Sequence, residues 1–250
     1  MSPFTITTAD GVVLTARRHP AVGRRRSVVV LVHGFTASKD HPDVLAVAEA
    51  LASAGHDVVS YDARGHHTSG GLCTLGHSEW LDVAAAADVA RDLDDRVVTV
   101  GASLGGVAVL RHATHDRDLT GVVAVSSPAR WRLPRNVRSM FSAFLTRTRV
   151  GRAFAERRLG VKIDPVWADP PPPVDLTGRI RVPLAVIHGD ADQVIPPTAA
   201  AQLVDRAGGS ARLEIVPGMG HAFDPLGIPV ILDAVDWALR RPAAESPARP

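Results

Sequence analysis

Short apolar runs alternate along the chain with segments in which apolar residues recur at helical spacing. Runs bounded by Gly, Pro or polar residues predict strands at 28–32, 58–61, 97–100, 122–125, 184–187 and 213–216. Apolar residues spaced three or four apart predict helices around 44–51, 80–87, 107–112 and 231–239. Continuous apolar runs are typical of strands buried on both faces. The pattern therefore predicts an α/β fold with a mostly parallel central sheet and helices on both faces.

Two segments depart from this alternation. The turn pair Asp10-Gly11 between 5–7 and 12–16 predicts an N-terminal hairpin. Between 131 and about 177, short helices are predicted around 137–144 and 151–158, followed by four prolines. We expect three parts: a core formed by 1–128 and 179–240, a cap insertion at 129–178 over the carboxyl ends of the strands, and a disordered, Pro- and Ala-rich tail at 241–250.

Length and composition limit the class of protein. A chain of 250 residues with 46% hydrophobic residues suits one large domain with a sizeable core. The net charge of +2 does not indicate nucleic-acid binding, and nothing in the sequence indicates an oligomeric state. Cys73 is the only cysteine, which excludes an intrachain disulfide and a zinc cluster built on thiolates. Residues 1–8 do not resemble a signal peptide and no stretch predicts a membrane span, so we expect a cytoplasmic protein.

The stretch GASLGG at 101–106 lies between a predicted strand and a predicted helix. A serine between small residues at such a junction can occupy a sharp, strained turn with its hydroxyl exposed. This is the G-x-S-x-G pattern of a nucleophile elbow, and it makes Ser103 a candidate nucleophile. The amide of Leu104, directly after the serine and at a helix N-terminus, is a candidate donor to a developing oxyanion.

Two later loops supply candidate partners for the serine. A serine hydroxyl needs a general base, and the base needs an orienting acid. His221 follows the strand predicted at 213–216, and Asp190 and Asp192 follow the strand predicted at 184–187. Each motif alone also has a structural interpretation as a glycine-rich turn, a surface histidine or a helix cap. Their joint occurrence after predicted strands, in the order serine, acid, histidine, favours a catalytic triad.

Four blocks of sequence carry a resemblance to a known family: HGFT at 33–36, DARGH at 62–66, GASLGG at 101–106, and GDAD at 189–192 with GH at 220–221. Over nearly its whole length the chain resembles the α/β-hydrolase superfamily of serine hydrolases. It is most similar there to small esterases and lysophospholipase-like members. The first block, extended to HGFTASKD, is similar to cinnamoyl and feruloyl esterase-like members.

The resemblance implies roles for three further groups. It assigns Asp192 as the acid, because glycine, aspartate, an apolar pair and proline match the family pattern from Gly189 to Pro196. Asp190 then has a structural role in a turn. The amide of Phe35 becomes the second oxyanion donor beside that of Leu104.

The expected substrate pocket is lined by Gly34, His67, Phe141, Phe144 and Phe223. Gly34 lets its loop approach the site closely. Members of the resembling family usually have Gly where His67 stands, so this histidine either changes the loop geometry or reaches the pocket. The adjacent histidines at 66 and 67 lack the spacing of a metal site, and we expect neither a metal nor a cofactor.

The predicted cap is strongly basic. Ten basic and four acidic residues give 129–178 a net charge of +6, and the remainder of the chain carries −4. The structural interpretation of this charge is that it lies on the solvated outer face of two small helices. The alternative is a lid that steers anionic substrates or contacts an acidic surface such as a membrane or a carrier. Phe141, Phe144, Leu145 and Phe154 would then form its apolar underside.

We expect a serine hydrolase that cleaves carboxylic esters of small to medium acyl groups through an acyl-enzyme on Ser103. Thioesters, amides, lactones and lysophospholipids remain alternatives, because the same triad serves all of them. Cofactor-free perhydrolysis is an alternative side activity. A ligand-binding protein without catalysis would lack a member of the triad, and dehalogenation or epoxide opening would require a carboxylate in place of Ser103.

Overall fold

The computed structural model describes residues 3–131 and 137–240, without the side chains at 137–139 and 142. The tail predicted to be disordered, 241–250, lies outside the described residues, as do two arginines of the basic insertion, Arg132 and Arg135. Within the described ranges, no helix combines the length and the apolar character that crossing a membrane requires.

Eight strands form one sheet in the order β1-β2-β4-β3-β5-β6-β7-β8. The strands are β1 Phe4–Thr7, β2 Val13–His19, β3 Ser27–Val32, β4 His56–Tyr61, β5 Val97–Ala102, β6 Gly121–Val125, β7 Leu184–Gly189 and β8 Ala211–Val216. Strands β3 to β8 are mutually parallel, whereas β2 pairs antiparallel with both β1 and β4. The chain leaves β3 toward β4 and then returns to β5 on its other side. This reversal places the β3 and β5 carboxyl ends at the point where α/β sheets usually bind ligands.

Among the described residues there are eight helices, seven between strands and α8 after the last strand: α1 Pro42–Ser53, α2 Glu79–Arg91, α3 Leu104–His112, α4 Val137–Arg147, α5 Arg149–Leu159, α6 Val174–Thr177, α7 Thr198–Asp205 and α8 Ile228–Arg240. A short 3-10 turn, Pro225–Gly227, precedes α8. Successive side chains of a strand point to opposite faces of the sheet, so the core has two parts, one on each face. Val28 and Val30 belong to a cluster with apolar residues of α2, α3 and α7, whereas Val29 and Leu31 pack with α1 and α8.

The described part of the segment between β6 and β7 contains α4, α5 and α6 and lies at the carboxyl edge of the sheet. Leu145 and Ala155 face inward and form a cluster with Cys73, against which Phe35 and Leu104 pack. The chain after α5 then pairs with the loop that follows β4, through bridges from Val161 to His66 and from Ile163 to Cys73. The two short helices therefore cover the start of α3.

The predicted α/β-hydrolase fold is confirmed, including the parallel sheet and the helices on both of its faces. The eight predicted strands are present, several beginning one or two residues earlier than their apolar runs. Helix α7 was not predicted because it is only eight residues long, TAAAQLVD, and its buried face consists largely of alanines. Helix α3 begins at Leu104, three residues before the apolar run, because the elbow turn leads into it directly.

Candidate active site

Ser103 occupies a strained turn between β5 and α3. Its backbone angles, a φ of 53° and a ψ of −114°, lie outside the regions that residues other than glycine ordinarily adopt. The turn is possible because the neighbours are glycines. A Cβ on Gly101 would lie 2.3 Å from the Gly105 carbonyl oxygen, and a Cβ on Gly105 would lie 2.5 Å from the His33 carbonyl oxygen. The Ser103 amide donates to the Val125 carbonyl at 2.8 Å, which ties the elbow to β6.

The structure brings the three predicted triad residues together. The Ser103 hydroxyl lies 3.0 Å from His221 Nε2, and His221 Nδ1 lies 2.7 Å from Asp192 Oδ2. Since a carboxylate only accepts, Nδ1 carries the ring proton and Nε2 is left to accept the proton of the serine hydroxyl. Ser103 and His221 are half-buried and Asp192 is buried, so the hydroxyl is the accessible end of the chain of bonds.

Asp192 is held as a carboxylate by the turn that follows it. Its Oδ1 accepts from the amides of Val194 at 2.7 Å and Ile195 at 2.9 Å. Burial alone would raise the pKa of Asp192, but hydrogen bonds from His188, His221 and Ile195 hold that pKa well below its ordinary value. Asp190 is exposed and accepts instead from the Gly218 amide at 2.7 Å, the structural turn contact that the resemblance implied.

Two backbone amides flank the serine at the candidate oxyanion site. The loop after β3 comes so close to the elbow that a Cβ on Gly34 would lie 3.2 Å from Ser103 Cβ. The next amide, that of Phe35, and the Leu104 amide at the first turn of α3 have no hydrogen-bond partner among the described residues. Free amides on both sides of a nucleophile can receive the negative charge that develops on a substrate oxygen.

A buried polar network fixes the loop that carries Phe35. His33 Nδ1 donates to the Gly34 carbonyl at 2.8 Å, and its Nε2 accepts from the Ala63 amide at 3.0 Å. Buried Asp62 accepts from the Lys39 amide at 2.9 Å and pairs with the Lys39 ammonium at 3.0 Å. These contacts join both ends of the loop to the segment after β4, so the Phe35 amide is held rather than free to move.

The structure places the predicted pocket residues in different environments. Gly34 lies beside the serine as expected. Phe141 and Phe144 are 48% and 39% exposed, and with Phe154 they form an aromatic cluster on the two cap helices. His67 is exposed, and its amide donates to Gly160 at the base of α5.

The prediction that Phe223 lines the pocket is corrected by its burial. The side chain is 3% exposed and belongs to the core cluster that packs against α1 and α8. The loop turns away from the site directly after His221, since Ala222 adopts a φ of 63° and the Gly220 amide donates to Asp224. The residue two positions after the histidine is thereby directed toward the core.

The sequence prediction missed one residue that contacts the triad. His188, near the end of β7, is fully buried, and its Nε2 lies 3.3 Å from Asp192 Oδ2 and 3.0 Å from the Ile195 carbonyl oxygen. Its one sequence signal is a polar residue that ends a strand of apolar residues four positions before the acid.

The histidines at 66 and 67 point apart. His66 is buried and its Nδ1 donates to the Arg64 carbonyl, whereas His67 is exposed beside the cap. Among the residues that the structure describes, no group of three or more His, Cys, Asp or Glu side chains is arranged to hold a metal ion. The candidate active site is organised around the Ser103 hydroxyl.

The chain belongs to the alpha/beta hydrolase family, whose family model matches residues 29–227. It is 27% identical over 258 aligned positions to a monoacylglycerol lipase from Mycolicibacterium smegmatis, covering 85% of this chain and 88% of the lipase. A shorter segment of 46 residues, 18% of this chain and 17% of the relative, is 41% identical to a putative non-heme chloroperoxidase from Synechocystis.

The fold is similar to that of a solved esterase. Est1E from Butyrivibrio proteoclasticus, solved with bound ferulic acid, superimposes with a TM-score of 0.66 at 21% identity. The superposition covers 93% of this chain and 96% of Est1E. Together with the family match, this agrees with the resemblance to small esterases.

Proposed function

We propose that this protein is a serine hydrolase that cleaves carboxylic esters of small to medium acyl groups. The observation that carries the proposal is the unbroken chain of contacts from the Ser103 hydroxyl through His221 to Asp192, at 3.0 Å and 2.7 Å. Ser103, where this chain of contacts begins, lies in a strained elbow flanked by two free amides, an arrangement suited to acyl transfer. The lipase relative and the esterase fold neighbour support an ester as the substrate.

The reaction proceeds in two halves. His221 Nε2 takes the hydroxyl proton as Ser103 Oγ forms a bond to the acyl carbon, and the carbonyl electrons move to the oxygen. The amides of Phe35 and Leu104 bind this oxyanion, and one such donor typically contributes about 3 kcal/mol to the barrier reduction. The tetrahedral species then expels the alcohol, which leaves with the proton from His221. In the second half water attacks the acyl-enzyme by the same route and releases the acid.

We also propose that the cap contributes to substrate selection. Its inward residues Leu145 and Ala155 belong to the cluster against which Phe35 and Leu104 pack, and its aromatic cluster of Phe141, Phe144 and Phe154 offers a partly exposed apolar surface. Exposed Arg149 and Arg157 have no carboxylate partner among the described residues. Unpaired cations near a site raise the local concentration of anionic ligands, which supports a preference for esters that carry negative charge.

A cytoplasmic location is part of the proposal. The one cysteine, Cys73, is buried, and burial raises the pKa of its thiol well above the ordinary value. A chain stabilised without disulfides accords with a reducing compartment.

Labelling with a fluorophosphonate probe tests the proposal. We expect one adduct per chain, on Ser103, because the probe reacts with serines that a general base activates. Ser103→Ala should abolish the label and the hydrolysis of p-nitrophenyl acetate, and His221→Ala should reduce both by at least about 100-fold. A folded preparation that gives no adduct, or an adduct on another serine, would contradict the assignment. A panel of matched esters, thioesters and amides then separates the alternative substrate classes.

A further inference from the structure

A second buried histidine contacts the catalytic acid of the proposed triad. His188 lies in β7, four residues before Asp192, and its side chain has no exposed surface. Its Nε2 is 3.0 Å from the Ile195 carbonyl oxygen and 3.3 Å from Asp192 Oδ2, the same oxygen that His221 contacts at 2.7 Å. The acid is therefore enclosed by one imidazole on the solvent side and another on the core side.

The contacts determine which nitrogen of His188 carries the proton. A carbonyl oxygen only accepts, so the nitrogen that contacts Ile195 carries a hydrogen. The other nitrogen, Nδ1, is buried without a hydrogen-bond partner among the described residues. The Nε2–H of His188 is thus shared between Ile195 and Asp192.

This shared N–H closes a small ring of contacts around the acid. Asp192 Oδ1 accepts from the amides of Val194 and Ile195, and the carbonyl of Ile195 accepts from His188. The turn from 192 to 195 is consequently attached to β7 by a side chain rather than by strand pairing. Any movement of this turn would move Asp192 away from His221.

We propose that His188 is a positioning residue that holds Asp192 in the orientation His221 requires. Its Nε2–H contacts both the carboxylate and the turn that carries it, so it fixes the orientation of the carboxylate. A cationic lysine or arginine at this place would compete with the His221 imidazolium, which Asp192 stabilises during the reaction. The inference rests on the proposed function, since it concerns the same triad.

Substitution of His188 by leucine and by glutamine separates positioning from bulk packing. The glutamine Nε2 occupies nearly the same place as the histidine Nε2 and can donate to Ile195, whereas leucine fills the space without a donor. With p-nitrophenyl acetate we expect His188→Leu to lower kcat by between about 10- and 100-fold and to change KM by less than about 3-fold. His188→Gln should recover most of kcat.

Dependence on the acid is tested in a double variant. If His188 acts through Asp192, adding His188→Leu to Asp192→Asn should lower kcat by less than about 2-fold further. Fluorophosphonate titration of active serines corrects each rate for the folded fraction.

His112 provides a matched control elsewhere in the molecule. It is buried, its Nε2 lies 3.3 Å from Asp116 Oδ2, and its Nδ1 also lacks a partner among the described side chains. His112→Leu and His112→Gln should lower the melting temperature but leave kcat of the folded enzyme unchanged.

Three results would overturn the role of His188: an unchanged kcat in His188→Leu, equal losses in the leucine and glutamine variants, or a full additional loss in the Asp192→Asn background. None of these would affect the assignment of Ser103. A fluorophosphonate adduct absent from Ser103 would instead contradict the proposed function itself.

Discussion

Asp190 and Asp192 lie two residues apart on one loop, and their side chains make different contacts. Asp192 is buried and points at His221 Nδ1, whereas Asp190 is exposed and accepts from the Gly218 amide. The catalytic contribution of the two carboxylates should therefore differ sharply.

Asp192→Asn should lower kcat by at least about 100-fold, because an amide at this position no longer stabilises the imidazolium and allows the wrong tautomer of His221. Asp190→Asn, the matched control on the same loop, should change kcat by less than about 3-fold and reduce stability only slightly. Steady-state kinetics with p-nitrophenyl acetate, paired with thermal melts, compare the two. A larger loss at Asp190 would reverse the assignment of the acid.

The candidate site residues that the structure places as the sequence predicted are those with local signatures. Ser103 lies between glycines that its turn requires, and His221 follows a strand ended by Pro and Gly. His188 was missed because its polar contacts are made to a turn whose path the sequence pattern does not show. Phe223 was misplaced because a positive φ at Ala222 redirects the chain, and an alanine gives no signal of such a backbone.

At the scale of elements, the helix pair α4 and α5 differs from the rest of the surface. Its inward residues Leu145 and Ala155 pack above Cys73, while Phe141, Phe144 and Phe154 stay partly exposed in one aromatic cluster. Contiguous exposed apolar surface commonly marks a binding surface. The arginines beside it give the surface a positive charge.

Cap variants test whether these charges select the substrate. For an anionic ester, kcat/KM should fall as salt rises from low ionic strength, and Arg149→Gln with Arg157→Gln should remove most of this dependence, because screening and charge removal weaken the same attraction. A neutral ester of equal acyl length should respond to neither. The control pair Arg117→Gln with Arg206→Gln removes two exposed charges outside the cap. Equal salt dependence for both esters would argue against steering.

The order of the central elements was predictable because β3, β5, β6 and β7 consist mainly of apolar residues, and burial on both faces demands such runs. The pairing of the segment after α5 with the loop after β4 was not predictable. Its residues, Val161 and Ile163, make isolated bridges rather than a strand with its own pattern.

At the scale of the whole molecule, histidines with lowered pKa values are a feature of the fold. Burial lowers the pKa of His33 from 6.5 to about 3 and that of His112 from 6.5 to about 4. The pKa values of four others are also lowered, with burial as the largest cause: His19, His56, His66 and His115.

These histidines should make the protein sensitive to mild acid. Below about pH 6.5 the unfolded chain binds protons that the folded chain excludes, so stability is full above that pH and falls as the pH drops toward 4. Each of the two buried histidines with the largest shifts, His33 and His112, weakens folding by up to about 1.4 kcal/mol per pH unit within its window. Urea unfolding between pH 7 and 4.5 should show this slope. His112→Gln should reduce the slope of the unfolding free energy against pH by the equivalent of nearly one proton. An unchanged slope would contradict the claim that burial of His112 weakens folding in acid.

By itself the sequence determined the α/β class, the order of the strands along the chain and the place of Ser103 in a turn between a strand and a helix, because these depend on periodicity and on residues that a local turn demands. Tertiary structure alone decided which groups surround the acid, where Phe223 points and how the cap packs over Phe35 and Leu104. These features depend on contacts between segments distant in the chain. No local pattern of apolar and polar residues records which distant atoms will lie 3 Å away.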